Sequence, residues 1–252
     1  MRAPDALPRP KAILFDLDDT ILDTTLSATR VWHATAEAFA EEIGSPPEVF
    51  NPVLDAARKW YWADPQRNHA GRLDVRRSRV EVTLHGLEAL ELGRTREALE
   101  HLAERFTQHY SDHRVGSMRF FDGALETLEA LHAGGMPMAL ITNGDAIGQR
   151  EKVERFGLET FFRAVLIEGE RGFGKPDERV FRVALEACGA EAVDAWCVGD
   201  NLGWEVAAPQ RLGITGVWVD WAGVELPEGG EVVPDAVVRG IRELPGLIEA
   251  AG

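Results

Sequence analysis

Six short apolar runs, most of them ending in a polar residue, constrain the fold of this chain more than any other feature. They are KAILFDL (11–17), PMALITN (137–143), AVLIEG (164–169), DAWCVGD (194–200), TGVWVDW (215–221) and DAVV (235–238). Segments with helical apolar spacing separate several of them, among them GALETLEALHAGG and DERVFRVALEACGA. Strands that alternate with helices indicate right-handed crossovers and a mostly parallel sheet. We therefore predict an α/β fold, with a Rossmann-like parallel sheet and helices on both faces.

The span 24–115 interrupts this alternation. Its segments have helical spacing and no convincing strand: TTLSATRVWHATAEAFAEEIG, VFNPVLDAARKWYWADP, RLDVRRSRVEVTLHGLEALELG and TREALEHLAERFTQHYSDH. We predict a helical cap domain at 24–115, inserted after the first strand, and a Rossmann-like core domain made of 1–23 and 116–252. The first ten residues, with three prolines, are expected to form a loose arm, and VELPEGGEVVP (224–234) a flexible loop.

Charge and composition exclude several classes of partner. The formal net charge of -15 disfavours binding to nucleic acid or to an anionic membrane, because the overall field repels phosphate. No apolar run approaches the roughly 20 residues of a membrane-spanning helix, and MRAPDALPRPK lacks the apolar stretch of a secretory leader. Cys188 and Cys197 lie in apolar surroundings and are expected to be reduced, buried thiols. These features predict a cytoplasmic protein, either a monomer or a homodimer.

Polar side chains follow the apolar runs at the points where a site would form. In an open α/β sheet, ligands bind beyond the carboxyl ends of the strands. Taken singly, each polar group has a common structural explanation, such as a loop cap, a side-chain turn or a solvated helix start. Together they favour one convergent site. Its members are Asp16 and Asp18 after the first run, Thr142 and Asn143 in the second, Lys175 after the third and Asp200 in the fourth.

The acidic residues of this set predict a magnesium site. Asp16 and Asp18 are two positions apart, so both side chains can reach the same small volume as the chain leaves the sheet. Two carboxylates that close repel each other, and a divalent cation relieves the repulsion. Mg²⁺ prefers oxygen ligands, and the absence of a nearby His/Cys cluster disfavours zinc. We predict Asp16, Asp18 and Asp200 as the metal-binding residues, with a main-chain carbonyl among the ligands, and a structural role for Asp19 and Asp23.

Four motifs in order carry a resemblance to a known family. They are DLDDT at 16–20, a hydrophobic residue followed by Thr-Asn-Gly at 141–144, Gly-Lys-Pro at 174–176 and Gly-Asp with an acid five residues further on, at 199–205. The chain resembles the haloacid dehalogenase superfamily, with a helical C1-type cap. FFDGALETLEALHAGG leading to ITNG is most similar to the capped phosphatases that include N-acylneuraminate-9-phosphatase and the pyrimidine 5′-nucleotidases.

The resemblance implies a role for each matching residue. Asp16 would attack phosphorus and form an aspartyl-phosphate, while Asp18 would protonate the leaving alcohol and later deprotonate water. Thr142 and the Asn143 amide would bind the phosphoryl oxygens, and Lys175 would offset negative charge. The family often has an Asp where this chain has Glu205, whose longer side chain is expected to bind metal-bound water. The implied activity is Mg²⁺-dependent hydrolysis of a small phosphorylated metabolite.

Substrate specificity is expected to lie in the cap, which contains an aromatic and basic segment, KWYWADPQRNHAGRLDVRRSR. Some of its arginines could bind a substrate carboxylate or a second phosphate. We favour the alternative, in which Arg76, Arg77 and Arg79 form a solvated helix face paired with glutamates and the aromatic residues pack in the cap core. The arginines in question are Arg72, Arg76, Arg77 and Arg79, and the aromatic residues are Trp60, Tyr61 and Trp62.

Four other functions were weighed against phosphate hydrolysis. A phosphomutase of the β-phosphoglucomutase type shares the acid pair but returns the phosphoryl group to its substrate. The dehalogenases that name the superfamily resemble this chain in fold but lack an acid at the position of Asp18. A response-regulator receiver also places acids, Thr and Lys at strand ends, but is about half this length. A non-catalytic binding protein with this fold is disfavoured because all the site residues are present.

Overall fold

The computed structural model describes residues 7–226 and 229–252 of the chain. They form two compact units: Met1–Asp23 with Phe120–Gly252, which we call the core unit, and Thr24–Arg119, which we call the helical unit. Residues 1–6 of the predicted arm and residues 227–228 of the predicted loop lie outside the described residues. No helix among the described residues is long and apolar enough to cross a membrane.

The described residues contain eight strands, which form two sheets. The larger sheet has six strands in the order β5-β4-β1-β6-β7-β8, and every neighbouring pair is parallel. The predicted parallel sheet is therefore confirmed, and each predicted run contributes one strand to it. The smaller sheet pairs β2 with β3. The bounds are β1 Ala12–Phe15, β2 Leu22–Asp23, β3 Arg119–Phe120, β4 Met138–Thr142, β5 Ala164–Ile167, β6 Ala195–Gly199, β7 Thr215–Val219 and β8 Ala236–Val238.

The helical unit contains six helices and no strand within Thr25–Ser117. Its own apolar core includes Trp32, which stacks on Phe106 and Tyr110 with ring centroids 5.8 and 4.1 Å away. Within the segment of helical spacing that begins at residue 72, one helix ends at Leu73 and the next begins after Asp74, whose side chain accepts a hydrogen bond from the Arg77 amide. The bounds are α1 Thr25–Ala38, α2 Ala40–Ile43, α3 Pro47–Ala63, α4 Pro65–Leu73, α5 Val75–Ala89 and α6 Arg96–Ser117.

Helices cover both faces of the six-stranded sheet. Because side chains alternate along a strand, Ile13 and Phe15 belong to one apolar cluster while Ala12 and Leu14 belong to the other. Helices α7, α8 and α12 contribute to the first cluster and α10 to the second. The bounds are α7 Ala124–Ala133, α8 Ala146–Arg155, α9 Glu168–Arg171, α10 Glu178–Cys188, α11 Ala208–Gln210 and α12 Leu244–Ala250, with 3₁₀ turns at Leu158–Phe161, Ala192–Asp194 and Ile241–Glu243 and a π turn at Leu202–Ala207.

The two cysteines are free thiols in different surroundings. Cys197 lies inside β6 and is buried, as predicted. Cys188 is only partly buried, so the prediction of a fully buried thiol was wrong there, because this residue ends α10 at the edge of the core. Burial raises the pKa of Cys188 to about 11 and that of Cys197 well above its ordinary value. Both thiols are therefore protonated at neutral pH.

Candidate active site

Strand order brings the predicted site residues to the carboxyl edge of the sheet. Strands β4, β1 and β6 are neighbours, so Thr142 at the end of β4, Asp16 just after β1 and Asp200 just after β6 follow adjacent strands. Lys175 reaches this edge from the loop after α9, and its Nζ lies 2.5 Å from Asp16 Oδ1. The site therefore occupies the position at which parallel α/β sheets bind ligands.

Lys175 is the buried cation of the site. Its ammonium contacts Glu205 Oε1 at 2.7 Å as well as Asp16, and its side chain is only 2% exposed. Burial by itself would lower the pKa of Lys175, but the charges of Asp16 and Glu205 outweigh this effect and hold its pKa above the ordinary value. Lys175 therefore stays positively charged, and it offsets part of the negative charge around Asp16.

The Asn143 side chain clamps the main chain of Lys175. Asn143 Nδ2 donates to the Lys175 carbonyl at 2.6 Å, and the Lys175 amide donates to Asn143 Oδ1 at 2.8 Å. This close approach requires Gly174, because a Cβ there would collide with Asn143 Oδ1. The family resemblance implies a contact from the Asn143 main-chain amide to phosphate. The side chain has the additional effect of fixing the loop that presents Lys175.

The carboxylates of the site outnumber its cations. Burial, opposed by Lys175 and reinforced by Asp18, raises the pKa of Asp16 above its ordinary value. Burial and then the charges of Asp16 and Glu205 raise the pKa of Asp200 to about 9. Asp16 Oδ2 is buried and has no hydrogen-bond partner among the described residues. Clustered, poorly compensated carboxylates of this kind fit a divalent cation, which would supply the missing positive charge.

The carboxylates of the predicted metal ligands differ in their surroundings. Within the described residues, no group of three or more His, Cys, Asp and Glu side chains is arranged to hold a metal ion. The charge of Asp16 is close enough to raise the pKa of Asp200. The Asp18 carboxylate instead accepts hydrogen bonds from Lys152 Nζ, at 2.7 Å to each oxygen. Both oxygens of the Asp18 carboxylate therefore have a protein partner in this structure.

Glu205 is buried within the site and contacts other residues through both carboxylate oxygens. Its Oε1 pairs with Lys175, and its Oε2 accepts a 2.9 Å hydrogen bond from the Asn201 amide, so both oxygens have protein partners. Burial, opposed by Lys175 and reinforced by Asp16, raises its pKa to about 7. Gly199 permits this position, since a Cβ there would collide with the Glu205 side chain. In this structure Glu205 therefore supports the buried ammonium of Lys175.

Comparison with known proteins identifies the family of this chain. The model of a haloacid dehalogenase-like hydrolase family matches residues 10–213. This chain belongs to the haloacid dehalogenase-like hydrolases. It is 32% identical to phosphoserine phosphatase from Thermus thermophilus, over 93% of this chain and 97% of that protein. It is 24% identical to human N-acylneuraminate-9-phosphatase, over 97% of this chain and 96% of that protein. The resemblance predicted from the four motifs is thus confirmed.

A solved structure supports the fold of this hydrolase. The magnesium-bound HAD-hydrolase YfnB from Bacillus subtilis matches with a TM-score of 0.66, covering 95% of this chain and 99% of that chain at 20% identity. At this low sequence identity the similarity is informative about the fold alone. It agrees with the parallel sheet and the helices described above. The prediction of an enzyme is also confirmed by the family.

Two residues that the sequence analysis did not single out complete the core of this hydrolase's site. Gln149 and Lys152 lie on α8, three positions apart and therefore on one face of the helix. Gln149 is buried, and its Nε2 lies 2.9 Å from both Asp18 Oδ2 and the Asn143 carbonyl, and within hydrogen-bond distance of Thr142 Oγ1. An amide nitrogen only donates, so the Thr142 hydroxyl accepts here and keeps its own proton for another acceptor.

The four arginines of the predicted cap lie in the helical unit, and three of them have partners there. Arg77 pairs with Glu81 at 2.8 Å on an exposed helix face, as we favoured. Arg79 instead donates to Ser111 at 3.1 Å and lies over the Tyr110 ring. Arg72 contacts Asn68 at 3.2 Å, and Arg76 is exposed. These contacts favour structural roles for Arg72, Arg77 and Arg79.

The aromatic residues of the same segment are not all in the core, contrary to the prediction. Tyr61 is 3% exposed, but Trp60 and Trp62 are 41% and 39% exposed. Consecutive residues of a helix point about 100° apart, so three in a row cannot all face the interior, and here Tyr61 is the buried one. Trp60 packs at the surface, stacked on His85 with ring centroids 3.8 Å apart and beneath the Arg67 guanidinium.

Proposed function

We propose that this protein is a Mg²⁺-dependent phosphomonoesterase that hydrolyses a small phosphorylated metabolite through an aspartyl-phosphate on Asp16. One observation carries the proposal: Lys175 binds one oxygen of the buried Asp16 carboxylate, while the other oxygen has no hydrogen-bond partner among the described residues. An oriented carboxylate with one uncommitted oxygen is suited to nucleophilic attack. The relatives named above, a phosphoserine phosphatase and an N-acylneuraminate-9-phosphatase, support phosphate esters as the substrate class.

The first chemical step transfers the phosphoryl group to Asp16. A carboxylate oxygen of Asp16 forms a bond to phosphorus as the bond from phosphorus to the alcohol oxygen breaks. Asp18, protonated when the substrate is bound, gives its proton to that oxygen, so the leaving group departs as a neutral alcohol and Asp18 is left as the carboxylate that Lys152 binds. The Thr142 hydroxyl and main-chain amides of the following loop donate hydrogen bonds to the phosphoryl oxygens, and Lys175 reduces the repulsion between Asp16 and the incoming phosphate.

The second step releases phosphate and restores the enzyme. Asp18, now ionised, removes a proton from water as the water oxygen attacks phosphorus, and the bond between phosphorus and the Asp16 oxygen breaks. Asp16 and Asp200, with the Asp18 carbonyl, would hold the magnesium ion. When bound, Mg²⁺ supplies positive charge that favours the approach of an anionic substrate to a carboxylate.

Phosphate release across a panel of substrates tests the proposed function. The panel contains phosphoserine, N-acylneuraminate 9-phosphate, sugar phosphates and nucleoside monophosphates, each assayed with Mg²⁺ and with excess EDTA. We expect at least one compound to release inorganic phosphate with Mg²⁺ and a loss of on the order of 10²-fold or more on chelation, because the remaining charge at the site is strongly negative. Activity that is unchanged by EDTA would refute the metal dependence, and isomerised product without phosphate would indicate a mutase.

Replacement of Asp18 by Asn should slow the reaction according to the leaving group. Asn cannot transfer the proton, so hydrolysis of an alkyl phosphate should fall by about 10²- to 10⁴-fold. Phosphorylation of Asp16 by p-nitrophenyl phosphate should fall much less in single-turnover measurements, because p-nitrophenolate leaves without a proton. An equal loss of p-nitrophenol and alcohol release in the first turnover would argue against the acid role of Asp18.

A further inference from the structure

Helix α8 holds the Asp18 carboxylate through two side chains. Lys152 Nζ lies 2.7 Å from each Asp18 oxygen, and Gln149 Nε2 lies 2.9 Å from Oδ2. The pair is largely shielded, with the Lys152 side chain 16% exposed and that of Asp18 30% exposed. A contact made to both oxygens from one cation, reinforced by a buried amide, fixes the plane of a carboxylate more firmly than a single surface contact.

The same helix is tied to the phosphate-binding loop. Asp145 caps α8 by accepting a 2.7 Å hydrogen bond from the Gly148 amide, only three residues after Thr142. Gln149 then reaches back to the Asn143 carbonyl and to Thr142 Oγ1. Through Gln149, these contacts fix the position of the Asp18 carboxylate relative to Thr142. In a transfer reaction, misplacement by about 1 Å can cost roughly 100-fold in rate.

We propose that Lys152 is a positioning residue that acts through Asp18, orienting this acid relative to the phosphoryl group bound at Thr142, an inference that rests on the proposed function. Gln149 assists by linking the acid to the loop. Lys152 has no role in holding substrate or metal in this scheme. Its contribution therefore appears only in steps that use the Asp18 proton, which separates it from a residue that simply stabilises the fold.

Single-turnover release of the alcohol or phenol, measured with Lys152→Met, tests this inference. With the best alkyl phosphate of the panel, the variant should release the alcohol about 10- to 100-fold more slowly, because the Asp18 acid is misplaced. With p-nitrophenyl phosphate, release should change by less than about threefold, because this leaving group needs no proton. In an Asp18→Asn background, Lys152→Met should add little further loss. Lys152→Arg, which keeps a cation able to bind both oxygens, should recover most of the alkyl phosphate rate.

Matched controls separate the possible outcomes. Arg155→Met removes one positive charge from the same helix at an exposed position and should leave both rates unchanged. Equal losses with both substrates, unchanged rates in Lys152→Met, or additive losses in the double variant would each overturn the positioning role while leaving the phosphatase intact. A wild-type enzyme that is inactive on every phosphate ester would overturn the proposed function itself. If circular dichroism shows that Lys152→Met is unfolded, Lys152→Gln is used instead for the comparison of the two substrates.

Discussion

Asp16→Asn should abolish steady-state phosphate release, lowering kcat by on the order of 10⁴- to 10⁶-fold. The Asn side chain has nearly the shape of Asp but is a far poorer nucleophile, so the first step loses its attacking group. The fold should survive, because the replacement removes a charge from an already crowded carboxylate cluster, and Lys175 keeps Glu205 as its partner. Little change in the melting temperature is therefore expected.

The measurement pairs activity with thermal unfolding. Asp194→Asn is a suitable control, since it removes a carboxylate whose ion pair with Lys11 lies at the surface, and it should leave the rate unchanged. Residual activity within tenfold of wild type in purified Asp16→Asn, after contaminating phosphatase has been excluded with a second preparation, would contradict nucleophilic catalysis by this residue.

Lys175→Met should damage both activity and stability. Met approximates the length of the Lys side chain without its charge, so Asp16 and Glu205 would remain buried without their shared cation. Removal of one partner from a buried ion pair costs about 3–5 kcal/mol in the free energy of unfolding. We expect a loss of that order near neutral pH, together with a fall in kcat of about 10³-fold from lost charge compensation and misplacement of the nucleophile.

A second substitution separates these two effects. Glu205→Gln in the Lys175→Met background removes one of the uncompensated carboxylates and should recover part of the stability, while activity stays low. Lys11→Met, at a site where the side chain is 72% exposed, should change the free energy of unfolding by less than about 0.5 kcal/mol. Urea unfolding that shows Lys175→Met as stable as Lys11→Met would contradict the description of Lys175 as the central buried cation.

The sheet was predictable because each strand is short, apolar and bounded by a polar residue. A parallel strand buried on both faces needs such a run, and its carboxyl end is where the polar groups of the site must appear. Asp16, Thr142 and Asp200 could be found from this rule alone, without knowledge of the strand order. Their proximity followed once β4, β1 and β6 proved to be neighbours.

The partners of these residues were less predictable, because they depend on contacts between distant parts of the chain. The sequence did not predict that Glu205 contacts Lys175, thirty positions earlier in the chain, through a close approach that Gly199 allows. The clamp between Asn143 and the Lys175 main chain is of the same kind. The spacing of residues within a motif does not predict contacts between distant parts of the chain.

The spacing of Gln149 and Lys152 in the sequence is too common a pattern to predict a functional role by itself. Two polar residues three positions apart share a helix face, but most such pairs lie on solvated faces. What distinguishes this pair is the placement of α8 directly after the Thr142 loop, which only the structure relates to Asp18. In the helical unit, the alternation of Trp60, Tyr61 and Trp62 between surface and core could have been predicted from helical geometry.

The central claim is that Asp16 carries the phosphoryl group during turnover, and rapid acid quenching tests it most directly. The wild-type enzyme, with Mg²⁺ and its best substrate from the panel, is quenched within one turnover, digested and examined by mass spectrometry. The account predicts a phosphorylated peptide that contains Asp16, absent after EDTA treatment and absent in Asp16→Asn. Phosphate released at the normal rate with no phosphorylated Asp16 peptide, under conditions that preserve an acyl phosphate standard, would contradict it.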